Sequence, residues 1–437
     1  MRRAILRSCL AGLALPALVA CGAKTGLFAP DAQVDGSVMD AGTDASVPVD
    51  AFVPPVDAFV PPDRCIEVPP REPPRSVDVS FVSRILSAEV YFLVDVTGSM
   101  GDEINEIRAR LRDTIVPGIV AQIPDVRFSV GRFADFPVEP YGSDGRSGSP
   151  ADDVFRLEQR STGDLAAVQR GIDRLTLQSG GDIPESAVEA LYVSATADAP
   201  SRLVPPRSCP PGTVGYPCFE REGSRIFLLF TDAPMHNGPS GVEPYGSRLG
   251  FRAHTYEETV IALRGIGAKV LGLYSGDRFD TGLDHLQLVA RDTGAVRPDG
   301  TPIVFDIGTR GGSLGPDVVE AVRTLVEEVP IDVDALTEDW PGDMVDATDF
   351  VTGIVAVSAE PPSGATRLPD RFADVRPGTR VSFSILLANE RFERLEVPQV
   401  YRMVVVLRGD GVTRLSETIV DIVVPAIDGD GCDELGL

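Results

Sequence analysis

The clearest chemical pattern in the sequence is a set of oxygen-bearing side chains that follow runs of apolar residues. The acids and hydroxyls concerned are Asp95, Thr97, Ser99, Asp182, Glu185 and Asp232. The first three alternate in a turn directly after the apolar run at residues 90–94, and the last directly follows the run at 226–231. A Gly-Gly pair before Asp182 permits close approach of the backbone. Carboxylates, hydroxyls and water are the ligands that Mg²⁺ prefers, so the pattern predicts a magnesium site.

Alternating strands and helices must bring these side chains together. Buried strands are predicted at residues 90–94, 126–133, 154–157, 226–231, 270–274 and 303–305. Helices are predicted at residues 104–115, 165–177, 184–196, 254–264, 283–291 and 316–328. This order predicts an α/β fold with a doubly wound parallel sheet and helices on both faces. Such sheets bind ligands at the carboxyl ends of their central strands, where Asp95 and Asp232 lie.

Beyond Pro330 the hydrophobic pattern changes to a period of two. Strands are predicted at residues 351–358, 380–388, 400–408 and 416–424. A C-terminal antiparallel β-sandwich domain accounts for this pattern. The predicted domains are a signal peptide with lipobox at 1–21, a tether at 22–75, the α/β domain at 76–330 and the sandwich at 331–437.

The turn after the first strand carries a family resemblance. Residues 95–103 have the sequence DVTGSMGDE, which resembles the DxSxS motif of the von Willebrand factor type A (vWA) family. It is more closely similar to the DxSxSMxDD pattern of the A-like (I-like) domain of integrin β subunits. The segments FADFPV at 133–138, DIPE at 182–185 and FTDA at 230–233 match further integrin segments in the same order. The resemblance covers about residues 89–328.

This resemblance implies up to three cation sites. The central one, a metal-ion-dependent adhesion site (MIDAS), would consist of Asp95, Thr97, Ser99, Glu185 and Asp232. An adjacent site would use Asp102 and Glu103, with Ca²⁺ or Mn²⁺ as alternatives to Mg²⁺. A third would be framed by Asp135, Asp182 and Glu185, although Gly180 stands where integrins have a ligating Asn, which counts against it. Asp182 is an alternative to Glu185 as a direct ligand of the central ion.

An enzymatic interpretation of the same turn is the main competitor. DVTGS resembles the DKTGT motif of haloacid-dehalogenase-like phosphotransferases, whose Asp is a nucleophile and which require Mg²⁺. Val96 replaces the Lys of that motif, and its downstream acids are missing. His236, His254 and His285 stand in neither an HExxH nor a triad context. We therefore expect no catalytic residues and no enzymatic activity, with His236 lining the metal site but not needed as a ligand.

The amino terminus predicts export and lipidation. Three arginines precede an apolar run at residues 10–20, as in a secretory signal peptide. LVACG at residues 18–22 resembles the lipobox of bacterial lipoproteins, which implies that Cys21 is lipidated and anchors the chain to the membrane. Gly22 is not the Asp typical of inner-membrane retention, so we expect the outer membrane, with the protein facing the periplasm or the cell surface. Residues 22–75 contain a tandem VDAFVPP heptad and predict a disordered tether.

Charge and cysteine content restrict the partners and the compartment. The 437 residues include 65 acidic and 40 basic side chains, for a net charge of -25, which excludes nucleic acid as a partner. Cys65, Cys209, Cys218 and Cys432 remain after signal cleavage and lipidation, an even number in an oxidising compartment. We predict disulfides between Cys209 and Cys218 and between Cys65 and Cys432, with the other pairings formally open.

Two long loops are predicted to form the rim of the metal site, at residues 137–152 and 233–251. Each contains the stretch EPYGS, and we predict that Tyr141 and Tyr245 contact a partner, simple turns being the alternative.

These features predict a lipid-anchored cell-envelope protein whose MIDAS-type cation mediates metal-dependent protein binding or adhesion. The partner would be a protein that presents an acidic residue to the open coordination position of the metal. The alternative is a structural envelope lipoprotein whose cation only stabilises the fold, and a phosphotransferase ranks below both.

Overall fold

The computed structural model describes residues 62–432, apart from 147, 200–201, 222, 277–279, 342–344 and 430. The predicted signal peptide, the predicted lipidation site Cys21 and most of the predicted tether lie outside these residues. Within the described part of the chain, no helix is long and apolar enough to cross a membrane.

Strands and helices of the described residues are numbered here in chain order. The strands are β1 (Arg64–Glu67), β2 (Arg75–Val82), β3 (Ser87–Asp95), β4 (Asp125–Phe133), β5 (Arg156–Thr162), β6 (Ser224–Thr231), β7 (Ala268–Tyr274), β8 (Val304–Asp306), β9 (Ile331–Asp339), β10 (Val351–Glu360), β11 (Thr366–Arg367), β12 (Arg371–Val375), β13 (Arg380–Leu387), β14 (Gln399–Gly409) and β15 (Thr413–Val424). The α-helices are α1 (Gly101–Arg110), α2 (Val116–Gln122), α3 (Leu165–Asp173), α4 (Ala187–Thr196), α5 (Tyr256–Gly265), α6 (Asp280–Asp292) and α7 (Leu314–Glu328). A π-helical turn, Leu111–Ile115, joins α1 to α2.

The α/β part is built on a six-stranded sheet with the order β5-β4-β3-β6-β7-β8. Neighbouring strands are parallel except for β4 and β5, which pair antiparallel at one edge. In this order the winding reverses between β3 and β6, as in doubly wound sheets that bind ligands at this switch point. The predicted α/β fold class is confirmed, with an antiparallel edge strand that was not predicted.

The central strand β3 is buried on both of its faces. Phe92 and Val94 pack into one core with α1, α2 and α7, whereas Tyr91 and Leu93 pack into a second core with α4 and α5. All four side chains have no exposed surface, at 0% each. A continuous apolar run has no face suited to solvent, which favours the middle of a parallel sheet. The residue after the run, Asp95, is thereby placed at the centre of the carboxyl edge.

The remaining strands form a β-sandwich around a separate core. Its two sheets have the orders β1-β15-β14-β9-β12-β11 and β10-β13-β2. The strands pair antiparallel, except that β1 runs parallel to β15. Apolar side chains from both sheets meet between them, including Val79, Phe383 and Val405. The predicted antiparallel sandwich is confirmed.

The start of the sandwich differs from the predicted domain boundaries. The strand β1 falls in the predicted tether and β2 in the predicted α/β domain, yet they pair with β15 and β13. The α/β domain is therefore inserted into the sandwich, between β2 and β9. In β2 the alternate residues Val77, Val79 and Phe81 are buried, which is the pattern of a half-buried strand. Its partner strand lies about 300 residues later, so no local signal links the two.

Two element ends near the metal-site residues also differ from prediction. The strand β5 begins at Arg156, after the buried Val154 and Phe155, instead of covering 154–157. The helix predicted from Pro184 begins at Ala187, and the amide of Glu185 before it donates to the carbonyl of Pro234. Residues 184–186 consequently belong to a loop that is tied to the segment after β6.

Both predicted disulfides are present. The Cα atoms of Cys65 and Cys432 lie 6.0 Å apart, and those of Cys209 and Cys218 lie 5.4 Å apart. The first bridge joins β1 to the end of the described chain, and the second closes the loop before β6.

Candidate metal centre

The central group of oxygen ligands is organised around Asp95, the last residue of β3. Its Oδ1 accepts hydrogen bonds from the Thr97 amide at 2.8 Å and from the Thr97 hydroxyl at 2.7 Å. Its Oδ2 accepts from the Thr231 hydroxyl at 2.7 Å. The Thr97 and Ser99 hydroxyl oxygens are 3.4 Å apart. Three of the predicted ligands therefore lie in contact within one turn.

Strand register explains why residues far apart in sequence meet here. In the parallel pairing of β3 and β6, Val94 lies opposite Phe230, which places Asp95 beside Thr231 and Asp232. The pair marks the switch point of the sheet, where the connections leave toward opposite faces and open a crevice. The structure thus brings Asp95 and Asp232 to the position that the sequence predicted.

Burial and mutual repulsion raise the pKa values of the acids around this point. The pKa of Asp95 is raised to about 7, first by burial and then by the negative charge of Asp232. Burial likewise raises the pKa of Glu103 to about 7, with further contributions from the charges of Asp232, Asp102 and Asp95. The predicted adjacent pair, Asp102 and Glu103, therefore lies within electrostatic reach of the central group.

Glu185 lies between the central group and a second group of acids. It is 4% exposed, and its pKa is raised well above the ordinary value by burial and then by the charges of Asp95, Asp135 and Asp182. The loop that carries it is held by two backbone hydrogen bonds, one from the Glu185 amide to the Pro234 carbonyl and one from the His236 amide to the Glu185 carbonyl.

The Gly180-Gly181 pair permits the close approach expected of it. A Cβ on Gly181 would lie 2.2 Å from the Pro140 carbonyl oxygen and 2.6 Å from the Tyr141 carbonyl group. Gly180 has a φ of +63°, and its Cβ would lie 2.9 Å from Glu185 Oε1. A side chain at Gly181 would therefore clash with the Pro140–Tyr141 backbone, and one at Gly180 would be strained and would displace the Glu185 carboxylate.

Three buried carboxylate oxygens at this edge accept no hydrogen bond from any described residue. They are Glu103 Oε2, Asp135 Oδ2 and Glu185 Oε2. An ionised carboxylate that loses water without gaining a donor or a positive charge is strongly destabilised. A divalent cation would supply that charge. The predicted ligands around Asp95, Glu103 and Glu185 are all oxygens, which suits a hard ion such as Mg²⁺. The residues at the switch point therefore fit a cation of this class.

Asp182 lies with a different set of side chains, which contains the predicted third-site residue Asp135. His236 Nε2 is 3.3 Å from Asp182 Oδ1 and 3.4 Å from Asp135 Oδ2. His236 was predicted only to line the site, but the structure places it between two carboxylates. The sequence places His236 four residues after Asp232 and contains no signal that pairs it with Asp135.

Tyr141 and Tyr245, which were predicted to contact a partner, have their hydroxyls and rings engaged within the protein. Tyr141 is 7% exposed, and its hydroxyl accepts a hydrogen bond from the Gly246 amide at 2.6 Å. The Tyr245 hydroxyl donates to Asp135 Oδ1 at 2.5 Å, and the two tyrosine rings pack edge to face at 4.9 Å. The EPYGS stretches therefore hold the two loops together. Apolar side chains that are exposed beside them are Ile183, Val242 and Phe251, at 52%, 41% and 45%.

Comparisons with known proteins add similarity to two solved structures. No protein-family model and no curated protein match the chain. A von Willebrand factor type A protein from Catenulispora acidiphila is 12% identical, with 84% of this chain and 72% of that chain covered and a TM-score of 0.37. Proximal thread matrix protein 1 from the mussel byssus is 15% identical, with 56% and 47% covered and a TM-score of 0.32. Likenesses of this size do not assign a family, and the fold class rests on the strand order.

Proposed function

We propose that this chain is a cell-envelope lipoprotein that binds a protein partner through a divalent cation, with Mg²⁺ as the expected ion. The observation that carries the proposal is the setting of Asp95, which is fully buried at the switch point and oriented through both carboxylate oxygens by Thr97 and Thr231. The unsatisfied oxygens of Glu103 and Glu185 lie around it. The same residues match the order and chemistry of the MIDAS motif, which supports a vWA-type site.

The residues that would hold the central ion are Asp95, Thr97, Ser99, Glu185 and Asp232. When bound, the ion would supply an open coordination position for a carboxylate of the partner. The net charge of -25 would repel an acidic group in the absence of a cation. Binding to an acidic partner is therefore expected to depend on the metal and to be lost in chelator.

Exposed apolar residues near the metal residues support a protein as the partner. Ile183 directly follows Asp182, and the Phe251 ring packs against Phe136 at 5.3 Å while 45% of its surface stays exposed. Interfaces commonly combine an apolar contact area with a few well-placed polar groups. We propose that Ile183 and Phe251, rather than the two tyrosines, contact the partner.

Binding is proposed in preference to phosphotransfer because of the accessibility of Asp95. A nucleophilic carboxylate must reach the phosphorus of its substrate. Asp95 is 0% exposed, and both of its oxygens already accept hydrogen bonds. This arrangement favours a role as an oriented metal ligand.

Membrane attachment is proposed from the sequence around Cys21. Replacing Cys21 with Ser should move the protein from the outer-membrane fraction to the soluble fraction, because the lipid is its proposed anchor. Protease digestion of intact cells would then show which side of the membrane the protein faces. Retention of the Cys21→Ser variant in the membrane fraction would refute the anchor.

A capture experiment tests the binding function and separates it from the structural alternative. Tagged protein is used to capture envelope proteins in Mg²⁺ and in chelator, with Asp232→Asn as the site variant and Asp370→Asn, an exposed acid of the sandwich, as the matched control. We expect one or more partners to be captured by the wild type and by the control in Mg²⁺ only. Mg²⁺-dependent stability without any Mg²⁺-dependent capture would support the alternative, in which the cation only stabilises the fold.

A further inference from the structure

A second group of potential ligands lies on the loops beside the central site. It consists of Asp135, which follows β4, Asp182 and His236, and one ligand atom of each lies within 4.8 Å of the others. Asp135 and His236 are buried, whereas about one third of the Asp182 side chain is exposed, at 33%. The group is therefore closed on one side and open to solvent at Asp182.

The hydrogen bonds of His236 determine which ring nitrogen carries a proton. His236 Nδ1 lies 2.8 Å from the carbonyl oxygen of Glu243. A carbonyl oxygen only accepts hydrogen bonds, so Nδ1 must be the protonated nitrogen. Nε2 is then the ring nitrogen directed at the two carboxylates, 3.3 Å from Asp182 Oδ1 and 3.4 Å from Asp135 Oδ2. It is the nitrogen that is placed to bind a metal together with them.

Asp135 supplies an independent observation that points to the same place. Its Oδ1 accepts hydrogen bonds from the Phe136 amide at 2.5 Å and the Tyr245 hydroxyl at 2.5 Å. Its Oδ2 is buried and accepts no hydrogen bond from a described residue, and it faces His236 Nε2 at 3.4 Å. One oxygen is held by the protein, and the other is left for a ligand.

The two distances from the His236 ring nitrogen fit a small tetrahedral metal ion. With metal–ligand bonds of about 2.0–2.1 Å, the corners of a tetrahedron lie about 3.3–3.4 Å apart. His236 Nε2 lies 3.3 Å from Asp182 Oδ1 and 3.4 Å from Asp135 Oδ2. We propose that Asp135, Asp182 and His236 bind a divalent transition metal of the zinc type, with the fourth position open to solvent. Imidazole nitrogen suits such ions, whereas Mg²⁺ and Ca²⁺ prefer oxygen.

The two EPYGS stretches acquire a role in this site. Histidine ligands usually donate their second ring N–H to a carbonyl or carboxylate, as His236 does to Glu243, a residue of the second stretch. The Tyr245 ring lies against the His236 ring with centroids 4.1 Å apart, and Tyr141 meets that ring edge-on at 5.3 Å. These contacts hold the orientation of His236, and the Tyr245 hydroxyl holds Asp135.

The proposal goes beyond the central site, for which Glu185 is a proposed ligand. It also differs from the third site implied by the family resemblance, because His236 joins Asp135 and Asp182 in place of Glu185 and a transition metal is preferred. The test uses the intact mature chain, freed of metal and kept in saturating Mg²⁺ to occupy the central site. Zn²⁺ is titrated against a competing chelator, and Co²⁺ is used as a probe whose visible absorption reports tetrahedral nitrogen and oxygen ligation. We expect one Zn²⁺ to bind per chain.

The variants separate ligands from neighbours. His236→Gln and Asp182→Asn should each weaken Zn²⁺ binding at least ~10-fold, and Tyr245→Phe should weaken it ~10- to 100-fold because Asp135 loses its orienting donor. His254→Gln is the matched control, since His254 Nδ1 faces a single carboxylate, that of Glu189, at 3.0 Å. It should bind Zn²⁺ as the wild type does, and so should Asp95→Asn.

Circular dichroism of each variant establishes whether it is folded. If His236→Gln does not fold, Asp182→Asn still tests the proposal, because the Asp182 side chain is partly exposed and its replacement is tolerated more easily. Absence of Zn²⁺ uptake by the wild type would overturn the proposal. The contacts of His236 with the two carboxylates would then be hydrogen bonds from Nε2 and not metal ligation. Unchanged affinity in both folded ligand variants would overturn it as well. Loss of the Mg²⁺ response with intact Zn²⁺ binding would instead count against the central site alone.

Discussion

Raising the pH of the metal-free protein should destabilise it through Asp95. The pKa of this carboxyl is raised from 3.8 to about 7, first by burial and then by the charge of Asp232, and the charges of Glu103 and Glu185 act on the same region. At a pH between these two pKa values, Asp95 keeps its proton in the folded state but has lost it in the unfolded chain. The free energy of unfolding therefore falls as the pH rises through this window. The pKa difference of Asp95 corresponds to a loss of about 4 kcal/mol in the free energy of unfolding above pH 7. Below about pH 4 this loss is absent, because both states bind the proton.

Magnesium should reverse this loss, because a bound cation holds Asp95 in its ionised form. For a domain of about 240 residues, 1 kcal/mol changes the melting temperature by about 2 °C. We therefore expect Mg²⁺ to raise the Tm by about 8 °C at about pH 8 and by much less at about pH 5, where the metal-free protein already keeps Asp95 protonated.

Thermal melts in Mg²⁺ and in chelator, at matched ionic strength and at both pH values, measure this difference. Asp95→Asn removes the charge and keeps the shape, so the metal-free variant should melt above the metal-free wild type at pH 8 and should not respond to Mg²⁺. The Asp370→Asn control should behave as the wild type. Equal Mg²⁺ effects at the two pH values, or identical curves in Mg²⁺ and chelator, would refute the reasoning.

Three further changes have defined outcomes. Replacing Cys65 and Cys432 together with Ser should lower the free energy of unfolding by up to about 6 kcal/mol in denaturant melts, because the bridge spans 367 residues of the unfolded chain; an unchanged midpoint would show that the bridge adds nothing. Gly181→Ala should destabilise the protein by about 2 kcal/mol or more and reduce the Mg²⁺ response, because the new Cβ would lie 2.2 Å from a backbone oxygen. Gly163→Ala is the control and should be tolerated, because the space around Gly163 is open. Phe251→Ser should weaken partner capture while the Mg²⁺-dependent Tm stays unchanged, and full capture would remove Phe251 from the proposed interface.

The α/β sheet and the grouping of the central oxygen-bearing side chains were predictable because their signals are local. The run at residues 90–94 is apolar at every position, which suits a strand that is buried on both faces. Strands of this kind in alternation with helices leave few topologies, and in these the carboxyl ends of neighbouring strands meet. Asp95 and Asp232 follow such strands directly, so their proximity followed from the sequence alone.

Other features were decided only by the tertiary structure. The strand β2 was assigned to the wrong domain because its partner lies about 300 residues away. Tyr141 and Tyr245 were predicted to contact a partner because tyrosines beside small residues in long loops suit that role, and only the packed structure shows that their rings contact each other. Loop conformation sets the neighbours of His236, and a loop has no periodicity from which they could be derived. The sequence by itself thus determined which strands carry the acids and hydroxyls grouped around Asp95. The folding of three distant loops onto one another decided that a histidine lies between Asp135 and Asp182, because contacts between loops depend on the whole packed chain.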